Sequence, residues 1–287
     1  MLVFKQAAGL QAWLDTERRD GKTVGFAPTM GALHQGHLSL IEIAGTECDL
    51  TVASIFVNPT QFNDPADLEK YPRMPEQDIA LLIGAGCHAL FMPSVDEVYP
   101  PGLDLRLQLD FGPLDQVMEG KFRPGHFGGM AMVVNRLLDI VQPHRLYMGQ
   151  KDFQQLTIVG DMLRQLGSAI QLVRCPTTRE ADGLAMSSRN LRLSPAMRAA
   201  APAIYQSMQA AKAALPGEPA SAVQARGMET LRAAGLDPEY FDIVDGHSLL
   251  PVEHYADSNF IVVCAAAWAG DVRLIDNLVI KENPAAT

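Results

Sequence analysis

Cysteine is scarce in this chain of 287 residues, and the four that occur (Cys48, Cys87, Cys175 and Cys264) stand far apart. With no CxxC pair, neither a zinc site nor a disulfide framework is predicted. Three of the four lie in apolar surroundings and read as buried free thiols. Basic residues are also in deficit, 23 against 33 acidic, for a net charge of −10. That excludes a general nucleic-acid binder, whose phosphate contacts need a basic surface. A nucleotide is not excluded, because a small anion needs only local lysine, arginine, histidine and backbone N–H groups. No apolar run is long enough to span a bilayer, so no membrane partner is expected. Met1-Leu2-Val3-Phe4-Lys5-Gln6 lacks the basic segment, apolar core and cleavage site of a secretion signal, and the expected location is cytoplasmic. There is no internal repeat, no low-complexity tract and no carboxylate cluster that specifies a metal cage, so metal ligands stay unassigned.

What is present fits a globular enzyme: 48% apolar residues, 20% charged, and enough length for one large or two modest domains. From Thr23 to about Cys175, apolar runs alternate with amphipathic stretches. Candidate strands are Val24–Ala27, Leu50–Val57, Ala89–Met92, Arg145–Met148 and Ile170–Cys175. Helical patterns cover Asp78 to Gly86, Met130–Val141 and Phe153–Leu166. The alternation predicts an α/β fold, a Rossmann-like parallel sheet with helices on both faces, which binds ligands outside the carboxyl ends of its strands. Pro176 is the expected junction between a domain over 1–176 and a smaller α+β domain over 177–287. In the second, Ser194-Pro195 reads as a helix start, with a helix to about Leu215. A second helix over Ala220–Ala234 is stopped by Gly235. Strands are expected over Tyr240–Val244, Phe260–Ala267 and Val272–Ile280, and a loose tail over Glu282–Thr287.

Polar motifs follow three of the candidate strands. The first is Pro28-Thr29-Met30-Gly31-Ala32-Leu33-His34-Gln35-Gly36-His37, a glycine-bearing turn between strand and helix, where α/β folds present N–H groups to phosphate. Its two histidines, three apart at a helix start, can share a face. The same stretch also reads as a capped turn with two surface histidines. The second motif, Asn58-Pro59-Thr60-Gln61-Phe62-Asn63, ends its strand at Pro59 and would project Asn58 and Gln61 at the tip; a plain turn is the alternative. The third is Gly149-Gln150-Lys151-Asp152-Phe153-Gln154-Gln155, where Lys151 could meet phosphate and Asp152 could cap the helix or accept ribose hydroxyls. Between them, Arg123-Pro124-Gly125-His126-Phe127-Gly128-Gly129 reads either as a loop closing over an anion or as an ordinary crossover loop. After Pro176, Met186-Ser187-Ser188-Arg189-Asn190 sets two hydroxyls beside a guanidinium, a compact phosphate-binding set.

In this order and at these distances, PTMGALHQGH, FVNPTQF, the YPR of Tyr71–Arg73, RPGHFGG, GQKDFQQ and MSSRN resemble the pantothenate synthetase (pantoate–β-alanine ligase) family over nearly the whole chain. That family belongs to the nucleotidyltransferase superfamily with the HxGH motif. His34-Gln35-Gly36-His37 is similar to the superfamily's HIGH motif. Met186-Ser187-Ser188-Arg189 is similar to its KMSKS motif, without the leading lysine and with Arg189 in place of the later one. The resemblance implies a two-step reaction. Pantoate attacks the α-phosphorus of ATP to give pantoyl adenylate and pyrophosphate, and β-alanine then takes the acyl group to give pantothenate and AMP. It implies His37 as the catalytic donor. The ATP site it implies comprises Met30, Gly31, Ala32, Leu33, His34, Gln35, Gly36, His37, Gly149, Gln150, Lys151, Asp152, Thr178, Met186, Ser187, Ser188 and Arg189. It further implies Gln61 and Gln155 for pantoate, with an apolar wall from Met30, Phe62 and Val133 or Val134, and Gln61 again for β-alanine. Mg²⁺ would ride on the phosphates, the 177–287 domain would act as a lid, and the protein would be a homodimer. The alternatives are a cytidylyltransferase-like nucleotidyl transfer, against which FVNPTQF and the Gln61/Gln155 pair speak, and a non-enzymatic nucleotide-binding module, which has no use for His34, His37, Lys151 and Arg189 together.

Overall fold

The structure is a computed structural model that describes residues 1–62, 68, 69, 71–103 and 108–283. Asn63 and the last residues of the expected loose tail lie outside them. The chain divides into two compact units. One comprises Met1–Phe111, Phe122–Gly149 and Ile158–Pro176, the other Gly112–Lys121, Gln150–Thr157 and Thr177–Thr287. Pro176 is thus followed by a change of unit, but two earlier segments also belong to the second unit.

The first unit is built on six parallel strands: β1 (Leu2–Phe4), β2 (Val24–Thr29), β3 (Leu50–Ile55), β4 (Ala89–Phe91), β5 (Arg145–Gly149) and β6 (Gln171–Cys175), in the spatial order β1-β4-β3-β2-β5-β6. The inner strands β2, β3 and β4 are short and largely apolar because parallel sheets are covered on both faces, whereas the edge strands β1 and β6 are mostly exposed or half-buried. Helix Gln35–Glu47 lays Leu38, Leu40, Ile41 and Ala44 on Ala27 and Ala53 of the sheet, each large side chain contributing about 1.5–3 kcal/mol by burial. Helix Ala7–Arg19 carries Arg18 to the carbonyls of Val141 and Gln142, placing a cation at the C-terminal end of helix His126–Val141, where the helix dipole favours one.

Three sequence expectations change here. Strand β1 and helix Ala7–Arg19 lay outside the stretch read as alternating. The Arg123–Gly129 loop is only half loop: Gly125, in a left-handed conformation, caps a helix that starts at His126. The single helix expected to Leu215 is two, Pro195–Ala200 and Ala203–Ala214, since Pro202 has no N–H to continue the ladder. The Ser194 cap is present, its hydroxyl accepting the N–H of Met197 at 3.3 Å.

The second unit contains an antiparallel sheet in the order β7-β8-β9, with β7 at Asp237–Asp245, β8 at Phe260–Ala269 and β9 at Val272–Glu282. Alternate residues face opposite sides. Ile261, Val263, Ala265 and Ala267 join Ile204, Met208, Val223 and Leu231 in one core with the helices Ala203–Ala214 and Ala220–Ala233. Segments from the middle of the chain lie against other residues of this sheet. Phe153 meets Phe260 edge to face, with ring centroids 5.9 Å apart. Glu119 accepts the Tyr240 hydroxyl at 2.8 Å and two guanidinium bonds from Arg273, at 2.8 and 2.6 Å. Burial first, then the Glu119 carboxylate, pushes the Tyr240 phenol well above its ordinary range.

Candidate active site

Strands β2, β3 and β4 are laid down in one direction across the sheet, and β5 is then placed on the other side of β2. The order therefore reverses between β2 and β5. The two strands pair only at Gly25–Arg145 and Phe26–Leu146, so their carboxyl ends part and leave a crevice. Ligands of open α/β sheets bind at such switch points. The Met30–His37 turn follows β2, and Gln150–Asp152 follows β5.

The turn is held by a residue that sequence reasoning missed. Asp78, buried in helix Pro75–Gly84, accepts the backbone N–H of Leu33 at 2.7 Å and of Ala32 at 3.0 Å. Ala32 has φ 50°, a conformation that costs about 1–3 kcal/mol outside glycine, and the two charge-assisted bonds offset it. Gly31, at φ +82°, holds a conformation that strains any side chain, and a Cβ there would also crowd the Asp78 carboxylate at 3.0 Å. The N–H groups of Ala32 and Leu33 are therefore already engaged, and the turn offers an anion its side chains more than its backbone. In sequence Asp78 reads only as an acid in a helix's first turn.

His34 is the N-cap of helix Gln35–Glu47. Its Nδ1 accepts the N–H of Gly36 at 3.1 Å, and Nδ1 of His37 accepts the N–H of His34 at 3.3 Å. The rings lie with centroids 4.1 Å apart and planes tilted by 39°. With both Nδ1 atoms accepting, each neutral ring carries its proton on Nε2.

Asn58 does not project as expected. It is 1% exposed, accepting from Thr60 and from the Tyr99 hydroxyl while its amide donates to Gln61 and to the carbonyl of Gly129. The fixed turn leaves Gln61 half-buried, its Nε2 3.1 Å from the sulfur of Met30. His126 is buried and donates from Nδ1 to the carbonyl of Gln61 at 3.0 Å, with Arg123 on its other nitrogen at 3.1 Å. A Cβ on Gly129 would sit 2.5 Å from the carbonyl oxygen of Thr60. The glycine-rich RPGHFGG motif is thus a clamp on the NPTQF turn. Val133 and Val134, one turn further along, are buried.

In the second unit, Gln150–Asp152 forms a 3-10 turn leading into helix Phe153–Gln165. Lys151 lies 3.5 Å from Asp152. The two glutamines that follow differ. Gln154 is buried and bonds to the N–H of Glu119 and to the carbonyls of Leu114 and Val117, whereas Gln155 is half-buried and its amide has no hydrogen-bond partner among the described residues. Thr178 opens a small hairpin in which its carbonyl accepts the N–H of Met186 at 3.0 Å. The Ser187 hydroxyl accepts the N–H of Arg189 and starts the turn Ser188–Arg192. Arg179 clasps Asp276 with bonds of 2.6 and 3.0 Å and lies over the Tyr205 ring at 3.9 Å. Burial raises the Asp276 carboxyl above its ordinary range even against that guanidinium.

Among the described residues no group of three histidines, cysteines or acids could hold a metal ion, and no helix is long and apolar enough to cross a membrane. All four cysteines are free, and burial pushes the Cys87 and Cys175 thiols up to about 11, far from nucleophilic.

A doubly wound parallel sheet with an HxGH turn at its switch point defines an α/β protein that takes its ligand at the carboxyl ends of the strands. Comparison with known proteins narrows that class. The family model for pantoate-beta-alanine ligase matches residues 2–279, and the chain belongs to that family. It is 50% identical to the pantothenate synthetase of Porphyromonas gingivalis over 98% of this chain and 100% of the relative, and 48% identical to that of Bacteroides thetaiotaomicron over the same shares. Among solved structures, the pantothenate synthetase of Thermus thermophilus superposes with a TM-score of 0.91 at 44% identity, over 98% of this chain and 100% of that one. A pantoate-beta-alanine ligase from Francisella tularensis, complexed with beta-gamma ATP and beta-alanine, gives 0.81 at 33% identity over 99% and 100%.

Proposed function

We propose that this protein joins (R)-pantoate to β-alanine, converting ATP to AMP and pyrophosphate through a pantoyl adenylate. The observation that carries the reading is the full-length match, at 50% identity over 98% of the chain, to a pantothenate synthetase. A cytidylyltransferase is not favoured, since family and relatives alike are ligases.

A carboxylate oxygen of pantoate attacks the α-phosphorus, and the bond from that phosphorus to the bridging oxygen of pyrophosphate breaks. The amine of β-alanine then attacks the acyl carbon, the acyl–oxygen bond breaks, AMP departs, and the nitrogen loses a proton. The first step gathers negative charge on the α-phosphate and the leaving pyrophosphate, so preorganised donors are the main catalytic need. His34 and His37 offer Nε2–H groups whose tautomers are set by the backbone N–H groups on Nδ1. His37 is the proposed catalytic donor. Lys151, Ser187, Ser188 and Arg189 supply the remaining phosphate contacts. Met30 to His37, Gly149 to Asp152, Thr178 and Met186 surround the nucleotide. Gln61 and Gln155 bind the polar groups of pantoate, and Gln61 also serves β-alanine. Mg²⁺, when bound, would be held mainly by the phosphates and water and would neutralise charge there; among the described residues no cluster is assigned to it. The reading includes a nucleotide- and pantoate-binding domain over 1–176, a lid domain over 177–287, a cytoplasmic location and a homodimer.

The test is incubation with ATP, pantoate and β-alanine. AMP formation that requires both acids supports the reading. AMP formation that proceeds without pantoate or without β-alanine, or binding without turnover, sinks it.

A further inference from the structure

Asp276 and Asn277 are adjacent on β9 and buried, 5% and 2% exposed. An acid and an amide buried between Leu274-Ile275 and Leu278-Val279 of one strand carry a desolvation cost that packing alone would not retain. Successive strand residues point to opposite faces, and each of these grips a different segment. On one face the Asn277 amide donates to the carbonyls of Gln150 and Lys151, at 2.8 Å each, while its Oδ1 accepts the Gln150 amide at 3.2 Å. On the other, Asp276 holds Arg179, whose guanidinium also bonds the carbonyls of Gly183 and Asn277 at 3.1 Å. Arg179 is tied in turn to the MSSRN stretch. It bridges Ala185 across the hairpin, and the Asn190 amide donates to Ala185 and Glu180 at 3.0 Å.

We propose that the Asp276–Asn277 step is a common anchor for the two phosphate-gripping segments, with Asn277 a positioning residue for Lys151 in adenylate formation. This rests on the function proposed above. Two bonds from one amide fix the backbone from which the Lys151 ammonium extends, and a third holds the Gln150 side chain beside it. The ion pair one residue earlier fixes the hairpin from which Ser187, Ser188 and Arg189 extend. The strand between them sets the separation of the two donor sets to a single residue step. A phosphate grip gains from such fixed spacing because no reorganisation is then needed as charge develops.

The test is a double-mutant cycle on pyrophosphate release from ATP and pantoate, with Asn277→Ala, Lys151→Ala and the pair. Misplacing a reacting group costs about tenfold to a hundredfold in rate. Asn277→Ala should lower the rate by that factor and raise KM for ATP more than KM for pantoate. In the Lys151→Ala background the same change should cost less than about twofold, because residues acting as one unit do not add. Equal factors in both backgrounds, or no loss in either, overturn the proposal. Should Asn277→Ala melt below the assay temperature, Asn277→Ser takes its place in the same cycle. Its hydroxyl carries one proton and cannot serve both carbonyls. Failure of the wild-type chain to release pyrophosphate with pantoate would overturn the underlying function instead.

Discussion

The imidazole of His37 accepts the backbone N–H of His34 across a single helical turn. The bond makes His37 part of the helix cap and fixes which nitrogen holds its proton. Replacing it by alanine removes a donor and half of a cap. Lost donors of this kind cost roughly a hundredfold or more in rate, and lost caps about 1 kcal/mol. His37→Ala is therefore expected to fold, with a slightly lower melting temperature, and to release pyrophosphate at about one hundredth of the wild-type rate. Circular dichroism and a pyrophosphate assay together check this, and near-normal turnover would remove His37 from the chemistry.

Asp78 should matter out of proportion to its distance from any polar motif. In Asp78→Asn one of the two N–H groups would face an amide NH₂ in place of an oxygen. A buried donor left unpaired costs about 1–3 kcal/mol. The expected result is a lower unfolding midpoint in urea together with slower adenylation, because Ala32 loses what holds it at positive φ. An unchanged midpoint would show that the turn is held by other means.

Adjacent glutamines on one helix start should behave differently. Gln154→Ala strips bonds from Glu119, Leu114 and Val117 and should lower stability without favouring either ligand. Gln155→Ala should leave stability near wild type and weaken pantoate binding by roughly 1–3 kcal/mol, with ATP binding little changed. Equilibrium titrations with each ligand, beside thermal melts, distinguish the two; equal losses for pantoate and ATP in Gln155→Ala would exclude it from the pantoate site.

Arg189 is expected to act in the first half-reaction only, since pyrophosphate has left before β-alanine reacts. Arg189→Ala should slow pyrophosphate release by about a hundredfold and barely affect transfer from preformed pantoyl adenylate. ATP should also protect residues 177–190 from hydrogen exchange in the wild type, and less so in the variant. Equal slowing of both half-reactions, or no protection, would count against a phosphate grip by this segment.

Much of this was legible in the sequence. Strands β2 to β4 were visible because inner parallel strands are covered on both faces and so read as apolar runs; β5 and the edge strand β6 showed as shorter apolar runs with a polar residue in or beside them. Gly235, at φ +84°, ended its helix where expected. Two of the site residues that escaped, Asn58 and Asp78, share a cause: each depends on partners distant in sequence. Strand β1 has three residues with the burial of an edge, too few to show a period. Asn58 looked like a strand tip because Tyr99 and Gly129, which bury it, lie about 40 and 70 residues away in sequence. Asp78 looked like helix punctuation. The acid and amide on β9 were a usable signal, since polar residues set between the apolar pairs Leu274-Ile275 and Leu278-Val279 need partners, but the partners themselves could not be named.

The bond between Glu119 and Arg273 has a consequence for synthesis on the ribosome. The two are 154 residues apart, and the Tyr240 hydroxyl that shares the carboxylate is 121 residues from it. At translation speeds of about 5–20 residues per second, Glu119 emerges roughly 8–30 s before the guanidinium that neutralises it. Six parallel strands can pair while that carboxylate is still hydrated, but the antiparallel sheet cannot close around it until Arg273 has been made. A nascent chain stalled near residue 270 would therefore carry a finished first unit and an open second one. A fragment beginning at Thr177 would never close as it does here, because the acid that Tyr240 and Arg273 need was left upstream.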